Sequence, residues 1–176
     1  MDGNAEPRIL SPLGTPQACF KPTAIYYNKI IITFFGVGFI PFAPGTFGSL
    51  AGLVLGLALI SINIYLFYFS IPILFILGII SSNIHQKTTG KKDDSIIVID
   101  EVVGQLIAML CVGNNISLII ASFVLFRIFD IFKPWPASYV DKNINNGLGV
   151  MLDDVFAGIY VVIVIMGMEY LFINGA

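Results

Sequence analysis

Hydrophobic positions fall into six runs, at about 30–42, 47–60, 64–84, 96–112, 116–132 and 150–173. A membrane span needs roughly 20 apolar residues. The last run meets that length, and 64–84 meets it if Pro72 only kinks the helix. The pieces 101–112 and 116–130 are too short, and Gly113-Asn114-Asn115 stands between them. Such punctuation marks a tight turn, so the pair reads as a helical hairpin, tilted or buried within a bundle. The second and third runs divide at Ser61 to Asn63, or nearer Ser70-Ile71-Pro72. No repeat or low-complexity tract interrupts the pattern. The expectation is an all-α, polytopic membrane helical bundle of about six helices, some short or re-entrant, with a polar site at one membrane face.

Composition agrees. Of 176 residues, 57% are hydrophobic and 11% charged, with a mean hydropathy of +0.90. Soluble domains carry about 25% charged residues, which argues against a water-soluble globule, and the length suits one domain. Residues 1–23 are polar and Pro-rich without a signal-peptide core. They read as a flexible or interfacial arm, leaving 24–176 as a single membrane-embedded domain. Cys19 and Cys111 lie far apart and outside any metal-spaced pattern.

The distribution of charge matters more than the net charge of -2. The hairpin returns Arg127 and Asp130 to the side of Asp100 and Glu101, and Asp153 and Asp154 open the last helix from there. The segment 64–84 ends on that side at His85, and 47–60 begins there at Pro44-Gly45-Thr46. Lys87, Lys91, Lys92, Lys133 and Lys142 lie in connections on the same face. The positive-inside rule makes that face cytoplasmic and puts the C-terminal Asn174-Gly175-Ala176 outside.

Each motif has a structural and a chemical reading. Acids at helix N-termini are favoured by the dipole, which accounts for Asp100, Glu101, Asp153 and Asp154 one by one. It does not account for Asp130, near a helix C-terminus. Neighbours on a helix diverge by about 100°, so in each acidic pair one group would face the site while the other caps the helix or meets water. Converging carboxylates suit a hard cation such as Mg²⁺, which keeps several waters. Arg127 and Asp130 share a helix face, as a local ion pair or with Arg127 free for bidentate phosphate contact. Lys133 precedes Pro134, which releases it from the helix. Trp135 is an interfacial anchor or a wall of the site. The turn from Pro41 to Ser49 leads into a helix that Thr46 and Ser49 can cap, or whose first N–H groups suit an anion, with Gly45 and Thr46 as candidate phosphate contacts. Gly48, Gly52 and Gly56 form a small-residue stripe at helix-packing spacing. His85, the sole histidine, is a surface group at a helix end or a general acid for a leaving alkoxide. The nucleophile motifs of cysteine-based and other phosphatases are absent, so a phosphatase here needs a metal-activated water.

The stretches "PFAPGTFGSL", "HQKTTG", "IVIDEVVGQ", "FRIFDIFKPWP" and "GLGVMLDDVFAGIY" resemble, in order and spacing, the bacterial phosphatidylglycerophosphatase A family. The resemblance covers about residues 30–173. It implies a Mg²⁺-dependent enzyme of the bacterial inner membrane, its site facing the cytoplasm. Such an enzyme takes the terminal phosphate from the phospholipid phosphatidylglycerophosphate, leaving phosphatidylglycerol. Carried over by position, Asp100, Glu101, Asp130, Asp153 and Asp154 are metal ligands. Arg127, Lys133, Gly45, Thr46 and His85 are phosphate contacts, and Asp100, Asp130, Asp153 and Arg127 are catalytic. Pro44, Gly48 and Ser49 also match the first motif. Lys91-Lys92-Asp93-Asp94 departs from the form with more His and Gly found in some members. The expected chemistry is in-line attack by water on phosphorus, or an aspartyl-phosphate on Asp130 or Asp153. No nucleic-acid partner is expected, and the sequence leaves the oligomeric state open. The rivals are a non-enzymatic cation carrier or channel, and an assembly partner that docks through the glycine stripe.

Overall fold

A computed structural model of the protein describes residues 22–91, 94–113 and 115–174. Among them are seven α-helices and no strand: α1 (Pro22–Ile32), α2 (Pro44–Ile62), α3 (Ile64–Thr89), α4 (Ile99–Ala108), α5 (Ile116–Phe132), α6 (Ala137–Asn143) and α7 (Gly147–Asn174). Three are long and apolar enough to cross a membrane, namely α2, α3 and Gly147–Leu171 of α7. The all-α membrane-type bundle expected from the runs is what the chain forms.

Local chemistry sets the boundaries. Asn63 separates α2 from α3, its side chain accepting the Tyr65 N–H at 2.8 Å as an N-cap. The division therefore falls at Ser61 to Asn63, and Pro72 lies inside α3. Asn115 caps α5 by accepting the N–H groups of Ser117 and Leu118 at 3.0 and 3.4 Å. Gly113 supplies a left-handed turn at φ +57° just before it. The hairpin of α4 and α5 forms as its punctuation implies; Asn114 itself lies outside the described residues.

Three details refine the expectation. The run 30–42 is not one element: α1 ends at Ile32, and the chain turns through Phe34, Phe35 and Gly36, all at positive φ. That turn is fixed by packing, since the Val98 N–H donates to Ile32 O at 2.9 Å and a Cβ at Gly38 would meet Ile96 O at 2.0 Å. Pro22 and Thr23, expected in the arm, begin α1; the rest of that arm, with Cys19, lies outside the described residues. The connection after Pro134-Trp135-Pro136 contains a helix of its own, α6, so the described helices number seven rather than about six.

The short α4 sits at the centre, with Val102 to Ala108 all buried against α2, α3, α5 and α7. Apolar side chains such as Val54, Ile73, Ile76 and Ile163 point outward. Lipid tails are as apolar as leucine, so helix association there depends on close packing rather than on water exclusion. The glycines provide that packing. A Cβ at Gly48, Gly52 or Gly56 would lie 2.8 Å from Val98 Cβ, 2.8 Å from Val102 O or 2.7 Å from Met109 Sδ. The stripe is thus filled by α4 and its flanks, which removes it as a docking face. On the opposite side a Cβ at Gly158 would lie 2.6 Å from Gly104 O, bringing α7 as close.

Candidate functional site

The helix order delivers the polar residues to one end. The starts of α2, α4 and α7 meet the ends of α3 and α5 there, with α6 and the 94–98 connection alongside. The 94–97 connection, α4, the end of α5, α6 and α7 line a cleft of about 340 Å³ there. Its lining holds all five expected carboxylates, Asp100, Glu101, Asp130, Asp153 and Asp154, together with Lys133, Asp94, Asp141, Ser95, Ile97 and Val150.

The carboxylates do not act as one set. Asp100, Glu101 and Asp154 each bring one oxygen to within 4.8 Å of the others. Asp130 pairs with Arg127, and Asp153 accepts from Lys133 Nζ at 2.5 Å. The expected divergence of neighbouring acids holds for Asp153 and Asp154, which separate to different partners. It fails for Asp100 and Glu101, both of which reach the trio, because glutamate's extra methylene lets two side chains of unequal length converge. Glu101 Oε2 is buried without a hydrogen-bond partner. A buried oxygen left in this way costs about 1–3 kcal/mol.

Neither Asp100 nor Glu101 belongs to the three candidate spans. Burial, then the Glu101 carboxylate, lifts Asp100 well above the usual carboxylate range. Burial lifts Glu101 to about 7, with a hydrogen bond to Asp100 opposing and the charges of Asp154 and Asp130 adding. Like charges gathered in a poorly solvated corner, with an orphaned oxygen among them, fit a hard divalent cation with oxygen ligands.

The expected phosphate contacts separate by position. Lys133 lines the cleft: α5 ends at Phe132, as Pro134 implies, and Lys133 follows as a left-handed C-cap at φ 42°. Arg127 stands behind it, bonded to Asp130 and reaching Ser49 Oγ at 3.3 Å. Gly45 packs where a Cβ would meet Glu101 Oε1 at 2.5 Å and both Arg127 terminal nitrogens at 3.3 Å. Thr46 is not among the cleft-lining residues. His85 is not a surface group: it is buried, and Nε2 lies 3.1 Å from Asp94 Oδ2. It meets the cleft only through Asp94, because α3 continues past it to Thr89 and turns it inward. Lys92 and Asp93 lie outside the described residues. Trp135 is exposed and outside the lining, which favours the interfacial reading.

Sequence reasoning passed over Asp141. It lines the cleft and lies 3.5 Å from Lys133 Nζ. A signal existed in Ala137 and Val140, buried three apart after Pro136, the spacing of a short amphipathic helix.

A family model described as Phosphatidylglycerophosphatase A matches residues 30–169. The chain belongs to the phosphatidylglycerophosphatase A family. A phosphatidylglycerophosphatase A of Haemophilus influenzae is 44% identical over 141 residues, covering 77% of this chain and 85% of the relative. That of Escherichia coli is 34% identical over 126 residues, covering 71% and 73%. A Bacteroides thetaiotaomicron protein, provisionally named a phosphatidylinositol-3-phosphatase, is 40% identical over 152 residues, covering 77% and 89%. No solved structure matches the chain. Within the matched region, the stretches that carry the resemblance reach the cleft: "IVIDEVVGQ" supplies Asp100 and Glu101, "FRIFDIFKPWP" supplies Asp130 and Lys133 with Arg127 behind them, and "GLGVMLDDVFAGIY" supplies Asp153 and Asp154.

Proposed function

We propose that this protein is a phosphatidylglycerophosphatase, a phosphoric monoester hydrolase acting on the terminal phosphate of phosphatidylglycerophosphate in a Mg²⁺-dependent reaction. One observation carries the reading. In a chain of this family, three carboxylates and a lysine share a cleft at the end of an apolar bundle. A phospholipid whose tails lie among the helices presents its phosphate at that depth.

Asp100, Glu101 and Asp154 would hold the cation, which supplies charge neutralisation and Lewis-acid polarisation of the phosphoryl oxygens when bound. Lys133 meets the phosphate from the rim. Arg127, anchored by Asp130 and Ser49, adds positive charge beside Gly45. Asp130 and Asp153, outside the trio, are the groups available to orient water or take its proton, and either is the nucleophile if the reaction is covalent. Inversion or retention at a chiral phosphate separates the two routes. Positioning and charge neutralisation carry most of phosphoryl-transfer catalysis, and these residues supply both. Under the positive-inside rule, Lys87, Lys91 and Lys142 at this end support a site facing the cytoplasm, in a bacterial inner membrane.

The test is phosphate release from phosphatidylglycerophosphate by purified protein in detergent, with Mg²⁺ or excess chelator. Cation-dependent release is expected, and no release across lipid and metal conditions sinks the reading. Phosphatidylinositol 3-phosphate belongs in the same assay, given the name of the Bacteroides relative; faster release from it would reassign the substrate. The carrier alternative fits less well, because the carboxylates gather at one end of the bundle rather than along a path through it.

A further inference from the structure

We infer that Asp141 is a positioning residue that shares Lys133 with Asp153 and holds its ammonium at the cleft mouth, available to phosphate. The inference rests on the phosphatase reading above. Lys133 Nζ lies 2.5 Å from Asp153 Oδ2 and 3.5 Å from Asp141 Oδ1. Its two partners differ in setting: the Asp153 side chain is 8% exposed and the Asp141 side chain 36%. One draws the ammonium toward the carboxylates, the other toward the open side.

The chemistry follows from the donor count. A lysine ammonium has three N–H donors, so two carboxylates leave one for a third acceptor. With Asp153 alone, the long flexible stem lets the ammonium settle against that carboxylate, and the two charges cancel. A second carboxylate fixes where the ammonium stands. Asp141 is suited to this because its helix is anchored: Ala137 and Val140 are buried, and α6 packs on α7. Three separate elements thus converge on one nitrogen: Lys133 from the end of α5, Asp141 from α6 and Asp153 from α7.

The test is a double-mutant cycle on the full-length protein in detergent, using Asp141→Asn, Lys133→Met and the pair. The readouts are KM and kcat for phosphatidylglycerophosphate and binding of inorganic phosphate by calorimetry in the presence of Mg²⁺. A partly exposed ion pair is worth about fivefold or less in an equilibrium, so Asp141→Asn should weaken phosphate binding by roughly that factor. It should raise KM more than it lowers kcat, and Asp141→Glu should restore most of the loss. In the Lys133→Met background, Asp141→Asn should have no further effect. An additive loss in the pair, or unchanged phosphate binding in Asp141→Asn, overturns the inference. If wild-type protein releases no phosphate, the phosphatase reading fails, while the phosphate-binding cycle still decides the Asp141–Lys133 coupling. Should Asp141→Asn not fold, Asp141→Ser replaces it; failure of both makes the residue structural and overturns the proposal.

Discussion

Replacing Gly45 with alanine adds one methyl group beside the carboxylate trio. The backbone there is not left-handed, so alanine is conformationally acceptable, and helix propensity favours it by up to about 1 kcal/mol. The difficulty is contact. The new Cβ would stand 2.5 Å from Glu101 Oε1, whereas ordinary contact begins at 3.4 Å. Glu101 must retreat by about 0.9 Å, or the start of α2 must shift by a similar amount. A misplacement of about 1 Å at a reacting constellation costs on the order of 10²-fold in rate. We therefore expect Gly45→Ala to lower kcat/KM about 10²-fold and to raise the Mg²⁺ concentration needed for half-maximal activity. Its thermal midpoint should stay near that of wild type. Phosphate release titrated with Mg²⁺, beside thermal unfolding in the same detergent, reads all three. The substitution keeps the Gly45 N–H, so a site that needs only an anion-binding helix start would be unaffected. Shortening Glu101 to aspartate relieves the collision, so Gly45→Ala should cost much less in a Glu101→Asp background. Activity within twofold of wild type, with an unchanged metal requirement, would refute the placement of Glu101 at the reaction centre.

Other outcomes follow from the same geometry. A ligand at 100 times its Kd stabilises a fold by about 2.7 kcal/mol, so excess Mg²⁺ should raise the thermal midpoint of wild type. Glu101→Gln or Asp154→Asn should abolish that rise; an equal rise in either variant removes that residue from the cation site. In chelator, Glu101, raised from 4.5 to about 7 in the folded protein, binds its proton more tightly folded than unfolded. Stability of the metal-free protein should therefore fall as pH climbs from 4.5 through 7 and flatten beyond it. A stability–pH profile in Glu101→Gln that keeps the same slope would assign the effect elsewhere. Gly158→Ala puts a Cβ 2.6 Å from Gly104 O and should destabilise by about 1–3 kcal/mol, read as a lower thermal midpoint. A variant Lys142→Cys should react with membrane-impermeant thiol reagents only from the cytoplasmic side; labelling from outside in intact cells reverses the proposed orientation.

Much of this was legible in the sequence because membrane segments announce themselves. Asn63 and Gly113 sit where helix boundaries need a cap and a left-handed turn, and both roles follow from residue type. The hairpin of α4 and α5 then fixed which end receives Arg127 and Asp130. The glycine stripe gave its packing role but not its partner, since spacing identifies a face without saying what fills it. The short α6 was hidden by its polarity: in an oily chain, seven residues with an Asp and a Lys look like solvated loop. Of the two readings of His85 the surface one fails: α3 extends one turn beyond the last strongly apolar residues, and the side chain is buried against Asp94.

The division of labour among the carboxylates was the least legible feature, and it bears most on chemistry. Five acids at one face can be read from topology, but their sorting depends on which have a cation within reach. Lys133 and Arg127, at the helix end of α5, each engage one of the five, Asp153 or Asp130, and Lys133 also meets Asp141. Those two acids are thereby provided with countercharge. Among the described residues, Asp100, Glu101 and Asp154 make no ion pair of their own, although Asp154 adjoins Asp130, and Glu101 Oε2 is unpartnered. Repulsion among three carboxylates this close, one buried and two half-buried, is an energetic cost that an assembled fold tolerates where something offsets it. A divalent cation would do so, and the lysine and arginine beside it would then face the added charge of a phosphate. The same sorting explains why the site lies at helix ends. There the connections can bring basic side chains and solvent to the acids, while the apolar lengths of α2, α3 and α7 remain free to meet acyl chains.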